Sequence, residues 1–238
     1  MQTPAQVRVW RVELDVTESE LAETAASLTE PELARAERGT PAVRRRRIVL
    51  RAAVRTVLGH ALGCAPAEVP LTTGPHGRPQ LDHPAAPWDV NCSRSDDVGV
   101  VALARGARVG IDVERVTPWT ADTAEEGWLT AAEVRDVEAL PPGERALAAT
   151  RRWTQKEAVL KARGTGLGTP PALITVRRTD RGDCSGTWAL TPVAVPPAFA
   201  ASLACSARIR TDGPAVVPLV LPIPAPATGH RHDADHAR

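Results

Sequence analysis

Val109-Gly110-Ile111-Asp112-Val113-Glu114 is the stretch from which the rest of the chain can be read. Val109, Ile111 and Val113 alternate with Gly110, Asp112 and Glu114, the period-two pattern of a half-buried strand. One face suits a core. The other carries two carboxylates at i and i+2, behind a glycine that leaves room. Carboxylates side by side repel unless a cation or a proton lies between them. Two readings stand at this point: solvated acids on an open sheet face, or an arranged pair. Just upstream, residues 98–104 form a second apolar run, and residues 105–108 make a short turn joining the two.

Some forty residues on, residues 144–163 read as one helix, begun after Pro141-Pro142-Gly143 and stopped by Gly164. Leu147, Thr150, Trp153, Glu157 and Leu160 recur every three or four residues and form one stripe. Glu157 therefore falls on the face expected to be buried, where a carboxylate needs a partner. That partner is either an arginine or a metal shared with Asp112 and Glu114. Three carboxylates suit a hard cation such as Mg²⁺, which takes few protein oxygens and keeps substrate phosphates and waters. The chain has only two lysines, Lys156 and Lys161, and both flank Glu157. A compact ammonium and a planar guanidinium differ at a crowded phosphate site, so lysine here points to phosphate.

Gly110-Ile111-Asp112-Val113-Glu114, then Trp153-Thr154-Gln155-Lys156-Glu157-Ala158 with Lys161, then Gly164-Thr165-Gly166-Leu167 resemble the 4'-phosphopantetheinyl transferase superfamily. Length and the N-terminal half are similar to its single-chain, surfactin-synthetase-activating (Sfp) type. The resemblance covers about residues 28–170 and implies an α+β fold. That fold is a pseudo-dimer of two similar halves with the active site in the cleft between them. Residues 1–108 would be the N-terminal, coenzyme-binding half, 109–218 the half with the metal site, and 219–238 a flexible tail. A faint echo of Arg46-Arg47-Ile48 in Arg151-Arg152-Trp153 fits two such halves.

The resemblance further implies Mg²⁺, with Mn²⁺ as an alternative, held by Asp112, Glu114 and Glu157. Glu157 and Lys161 would be catalytic, and Lys156 and Lys161 would steady phosphate oxygens. Coenzyme A is the implied substrate, and an apo acyl or peptidyl carrier protein the partner. Arg46 and Arg47, in the run Arg44 to Arg47, would bind its phosphates, with Arg35 a further candidate. The turn Gly74-Pro75-His76-Gly77-Arg78-Pro79 stands where the family places a cation for the coenzyme, here Arg78 followed by Pro79. Trp88-Asp89-Val90-Asn91-Cys92-Ser93-Arg94-Ser95 matches a motif that usually reads aromatic-Asn-x-Ser-His-Ser. Ser93 and Arg94 are candidates there, with Arg94 in place of the histidine. An arginine donates to phosphate at any pH, so the departure removes pH sensitivity and keeps the contact. Trp128-Leu129-Thr130-Ala131-Ala132-Glu133 matches another block, with Leu129 for its second aromatic. Thr130 and Glu133 also form a capping box, which explains Glu133 without a catalytic role.

At 238 residues the chain can bury a sizeable core, and a net charge of +1 gives no global field for nucleic acid or membrane. The basic run reads first as a solvated helix face. Tyrosine is absent and Phe199 is the single phenylalanine, so few rings are available to stack on bases. No apolar run reaches the roughly 20 residues of a membrane span. Cys64, Cys92, Cys184 and Cys205 lack metal-type spacing and read as reduced thiols of a cytoplasmic protein. These features argue for a cytoplasmic protein binding neither nucleic acid nor membrane, and a monomer is expected. Two other classes stay open, a catalytically silent coenzyme A-binding protein and an arginine-rich nucleic-acid module. His230, His232 and His236 fall in the tail, where they need no function.

Outside these blocks, residues 7–16 read as a strand and residues 18–38 as a helix interrupted near Pro31. Residues 42–62 read as a second helix with Arg51 and Arg55 on its basic face, and residues 119–127 as a linker. Residues 173–178, 187–195 and 199–209 read as three strands.

Overall fold

The computed structural model describes residues 6–74, 77–82, 87–179, 182–206 and 215–221. In chain order the strands are β1 (Gln6–Glu13), β2 (Leu71–Thr73), β3 (Pro79–Leu81), β4 (Trp88–Ser95), β5 (Val98–Arg105) and β6 (Val109–Arg115). They continue with β7 (Arg177–Thr179), β8 (Gly182–Ser185), β9 (Trp188–Pro192), β10 (Phe199–Cys205) and β11 (Val216–Leu219). The helices are α1 (Glu18–Ala25), α2 (Glu30–Ala36), α3 (Pro41–Leu62), α4 (Ala121–Glu125), α5 (Ala131–Glu138) and α6 (Pro142–Arg163). The mixed α+β class expected from the sequence is the one observed.

One sheet has the order β11-β1-β5-β4 and another the order β6-β10-β9-β8-β7, with β2 and β3 a separate pair. β5 is apolar on both faces because it is central. Its Val101 and Leu103 meet α3, while Val98, Val100, Ala102 and Ala104 meet Val109, Ile111 and Val113 of β6. The two sheets thus share a core, with α3 outside one and α6 outside the other. The turn at residues 105–108 exists, with Gly106 at φ 72°, but β5 and β6 form no ladder. Both edges of β5 are already taken, by β1 and β4.

The second face of β6 is not open to solvent. Asp112 is 1% exposed, under α6. A Cβ on Gly110 would lie 2.1 Å from the Ala158 carbonyl oxygen and 2.5 Å from the Ala162 nitrogen, so only glycine lets α6 come this close.

Helices α3 and α6 both have 22 residues, both start at a proline, and both end at a left-handed glycine, Gly63 and Gly164. Each is stapled to the helix before it. Arg55, 1% exposed, donates to Glu32, which also closes the capping box with Thr29. Lys156, 0% exposed, donates to Glu133, which closes the capping box with Thr130. Arg55 therefore does not belong to a solvated basic face. It also donates to the carbonyls of Pro66, Ala67 and Val69.

Pro31 is the second residue of α2 and does not interrupt a longer helix. It lies in the first turn, where no amide is required, and Thr17 and Thr29 cap two separate helices. Residues 119–127 contain the short helix α4. Residues 173–178 are strand only from Arg177, β8 and the β2/β3 pair were not anticipated, and the third expected strand ends at Cys205. β11 runs from the expected unit 109–218 into the first residue of the expected tail and pairs in parallel with β1 of the first sheet. Of the expected tail, residues 222–238, and with them the three histidines, lie outside the described residues, as do Pro75 and His76.

Gly110→Ala should destabilise the protein by at least the about 1–3 kcal/mol typical of overpacking. Urea denaturation measures it; an unchanged midpoint would mean that α6 can shift away from β6 without loss.

Candidate functional site

β4 and β6 meet along their edges without a backbone ladder, and side chains make the connection. The Val109 amide donates to Asp89 Oδ2 at 2.7 Å and the Ile111 amide to Asn91 Oδ1 at 2.9 Å. The Arg115 amide donates to Ser95 Oγ at 3.0 Å. Ser93 Oγ donates to Asp112 Oδ1 at 2.8 Å, and Ser95 Oγ to Glu114 Oε2 at 2.9 Å. From α6, Lys161 Nζ lies 2.6 Å from Asp112 Oδ1 and 2.8 Å from Ser93 Oγ.

Asp112, Glu114, Glu157, Lys161 and Ser93 therefore form one cluster. Burial first, and then the charge of Asp112, raise the carboxyls of Glu114 and Glu157 above their ordinary range. Burial works against the Lys161 ammonium, but Asp112 and Glu157 outweigh it and hold its pKa above the ordinary value. Lys161 is thus a fixed cation and no base. Asp112 Oδ2 and Glu157 Oε1 are buried without a hydrogen-bond partner among the described residues. No group of three or more His, Cys, Asp or Glu among those residues stands close enough to hold a metal as it is. The donors nonetheless fit a hard divalent cation in kind. Three carboxylates face a single ammonium, and two of their oxygens have no hydrogen-bond partner among the described residues.

The neighbouring residue on β4 faces the other way. Arg94 opens into a cavity of about 330 Å³ that it lines with Arg35, Arg38, Arg47, Arg51 and Pro79. Arg94 has no hydrogen-bonded or ion-paired partner among the described residues. Burial, and then Arg47 and Arg46, push its pKa down. Positive charge gathered this closely favours an anion. Ser93 and Arg94, consecutive on β4, so face the carboxylate cluster and the arginine cleft in turn.

Three expected phosphate ligands have their donors engaged within the protein. Arg78 is 7% exposed; it donates to Asp89 at 2.7 Å, to the Val109 carbonyl at 2.9 Å and to the Lys161 carbonyl. It clamps β4, β6 and α6 together. Lys156 donates to Glu133 at 2.7 Å and to the carbonyls of Trp128 and Pro171 at 3.1 and 3.2 Å. Residues five apart on a helix point about 140° apart, so Lys156 turns to Glu133 while Lys161 turns to Asp112. Arg46 is paired with Asp97 at 2.8 Å, whereas Arg47 donates to the Arg38 carbonyl and still lines the cleft. Sequence reasoning missed Asp89 and Asn91. Their signal was the alternation of Asp89, Asn91, Ser93 and Ser95 along one strand face.

The family model of the 4'-phosphopantetheinyl transferase superfamily matches residues 108–207. The chain is 34% identical over 166 residues to the 4'-phosphopantetheinyl transferase HetI of Nostoc sp., covering 68% of this chain and 70% of that one. It is 30% identical over 133 residues to the 4'-phosphopantetheinyl transferase of Bacillus subtilis, covering 56% and 58%. It is 37% identical over 139 residues to the L-aminoadipate-semialdehyde dehydrogenase-phosphopantetheinyl transferase of Eremothecium gossypii, covering 53% and 50%. The last two matches span little more than half, or half, of those relatives.

Lys156→Met should strand Glu133 and cost about 3–5 kcal/mol, as breaking a buried pair does. A phosphate-binding lysine would instead leave thermal stability unchanged. The raised carboxyls give a pH dependence of definite sign. Glu114 and Glu157 bind protons more tightly in the folded chain than in the unfolded one, where a carboxyl lies near 4.5. Their contribution to the stability of the metal-free protein should therefore rise as the pH falls towards about 4.5. Glu157→Gln should flatten that rise, as read by thermal unfolding; an unaltered slope would remove Glu157 from the cluster's electrostatics.

Proposed function

We propose that this chain, which belongs to the 4'-phosphopantetheinyl transferase superfamily, moves the 4'-phosphopantetheine arm of coenzyme A onto a serine of an apo acyl or peptidyl carrier protein. Adenosine 3',5'-bisphosphate is released. The observation that carries this reading is the back-to-back pair on β4: an arginine cleft and a carboxylate cluster with orphaned oxygens meet at Arg94 and Ser93. A silent coenzyme-binding protein needs the first and has no use for the second.

The cleft suits the coenzyme's adenosine-side phosphates, with Arg47 and Arg94 as donors and Pro79 in the wall. The pyrophosphate then reaches towards Lys161, whose ammonium persists at every ordinary pH. The serine oxygen attacks the β-phosphorus, and the bond from that phosphorus to the bridging oxygen of the leaving bisphosphate breaks. Little covalent chemistry falls to the protein, so catalysis is positioning plus charge stabilisation. The serine proton needs an acceptor, and Glu157 Oε1, buried and free of partners among the described residues, is what this chain offers. Asp112, Glu114 and Glu157 would hold Mg²⁺ or Mn²⁺, which supplies neutralisation of charge on the pyrophosphate oxygens. Matching element orders around α3 and α6, and the repeated staple, support two similar halves of the single-chain Sfp type. The partner class we favour is the carrier domains of polyketide, nonribosomal peptide or fatty acid synthases. The protein would act as a cytoplasmic monomer. No helix among the described residues is long and apolar enough to cross a membrane.

Incubation with apo-carrier protein, coenzyme A and Mg²⁺ should add the mass of the arm to the carrier, and chelator should prevent it. Asp112→Ala and Glu157→Ala should each lower turnover by about a hundredfold or more while remaining folded. Arg94→Ala should raise the KM for coenzyme A about tenfold or more, as loss of a charged hydrogen bond predicts. Full turnover in the carboxylate variants would overturn the reading.

A further inference from the structure

We propose that Asp89, Asn91 and Ser95 are positioning residues: alternate side chains of β4 act as a comb that fixes the register of β6 and aims its carboxylates. The proposal builds on the transferase reading for its kinetic consequence, though not for its geometry.

An edge strand presents a row of outward amides that must find acceptors. β6 is the edge of its sheet, with β10 on its other side. A neighbouring strand usually supplies backbone carbonyls. Here β4 supplies side-chain oxygens at a constant step: Asp89 to Val109, Asn91 to Ile111 and Ser95 to Arg115, each reaching the amide twenty residues on. A constant offset means that the two strands run in parallel, as they must when β4 is antiparallel to β5 and a short turn reverses the chain again before β6. Asn91 is 3% exposed, and its oxygen is committed to Ile111.

The teeth have two kinds of target. Asp89 and Asn91 take backbone amides and set where β6 lies. Ser93 and Ser95 donate into Asp112 and Glu114 and set where those carboxylates point. Ser95 does both, accepting from the Arg115 amide while donating to Glu114. Asp89 also holds Arg78, whose other donors reach the carbonyls of Val109 and Lys161. A slip of β6 by one residue would turn Asp112 and Glu114 into the shared core and Ile111 towards α6. The comb forbids that slip at the one place where two separate sheets would otherwise be free to slide.

Amide exchange followed by NMR tests the comb without reference to activity. In Asn91→Ala the Ile111 amide should exchange at least tenfold faster than in the wild type, while amides of α3 keep their protection. In Ser95→Ala the Arg115 amide should do the same, and Ser95→Thr, which keeps the hydroxyl, should restore it. With coenzyme A, Mg²⁺ and carrier, Ser95→Ala should lower kcat about tenfold with KM for coenzyme A unchanged, and Ser95→Thr should recover kcat. Unchanged exchange at Ile111 and Arg115 in the alanine variants would overturn the comb, even in an active enzyme. Should Asn91→Ala not fold, the Ser95 pair decides alone. A wild type that transfers nothing sinks the transferase reading, and the exchange data still settle the comb.

Discussion

Seven residues of β6 have to satisfy two sheets at once. On one side the strand is paired with β10; on the other its amides end on side chains of β4. This edge contact is the constraint on which the site depends. It brings Asp112 and Glu114, from the second sheet, to within reach of Ser93 and Ser95 of the first. The arginine cleft lies on the other face of β4, at Arg94. Gly110 completes the arrangement by letting α6 lie against β6, which delivers Glu157 and Lys161.

Around that contact the same scaffold occurs twice with different chemistry. Thr29, Glu32 and Arg55 recur as Thr130, Glu133 and Lys156, each 101 residues further on. In both places a capping-box glutamate is held by a buried cation from the long helix. In the same register Glu157 and Lys161 correspond to Thr56 and His60, so the ionised cluster is built in one part only. The staple is what each part needs to hold its helices together. The cluster is needed once, and a second set of buried carboxylates would add desolvation cost without a ligand.

Much of this was legible because it is periodic or local. The alternation in residues 109–114 placed Val109, Ile111 and Val113 in the core, and the glycine stops fixed the ends of α3 and α6. The cluster of Asp112, Glu114, Glu157 and Lys161 followed from spacing plus a resemblance. What the sequence hid was long-range ion pairing. Arg55, Arg78 and Lys156 look like free cations in a string of letters, and each is buried among carbonyls and a carboxylate from distant segments. The echo of Arg46-Arg47 in Arg151-Arg152 was out of register, because the matching feature is a staple made of residues far apart in the chain. Likewise, Asp89 and Asn91 reveal their role only once β6 is seen to have an unpaired edge.

β4 stands between a phosphate site, which Arg94 lines, and a cation site on β6 and α6, which Ser93 touches. A crystal structure with coenzyme A and Mn²⁺, using the anomalous signal of the metal, tests that placement most directly. A Mn²⁺ peak bounded by Asp112, Glu114 and Glu157 is expected, with coenzyme phosphates on Arg94 and Arg47. Coenzyme bound elsewhere with the cleft empty, or a metal peak away from those carboxylates, would contradict it.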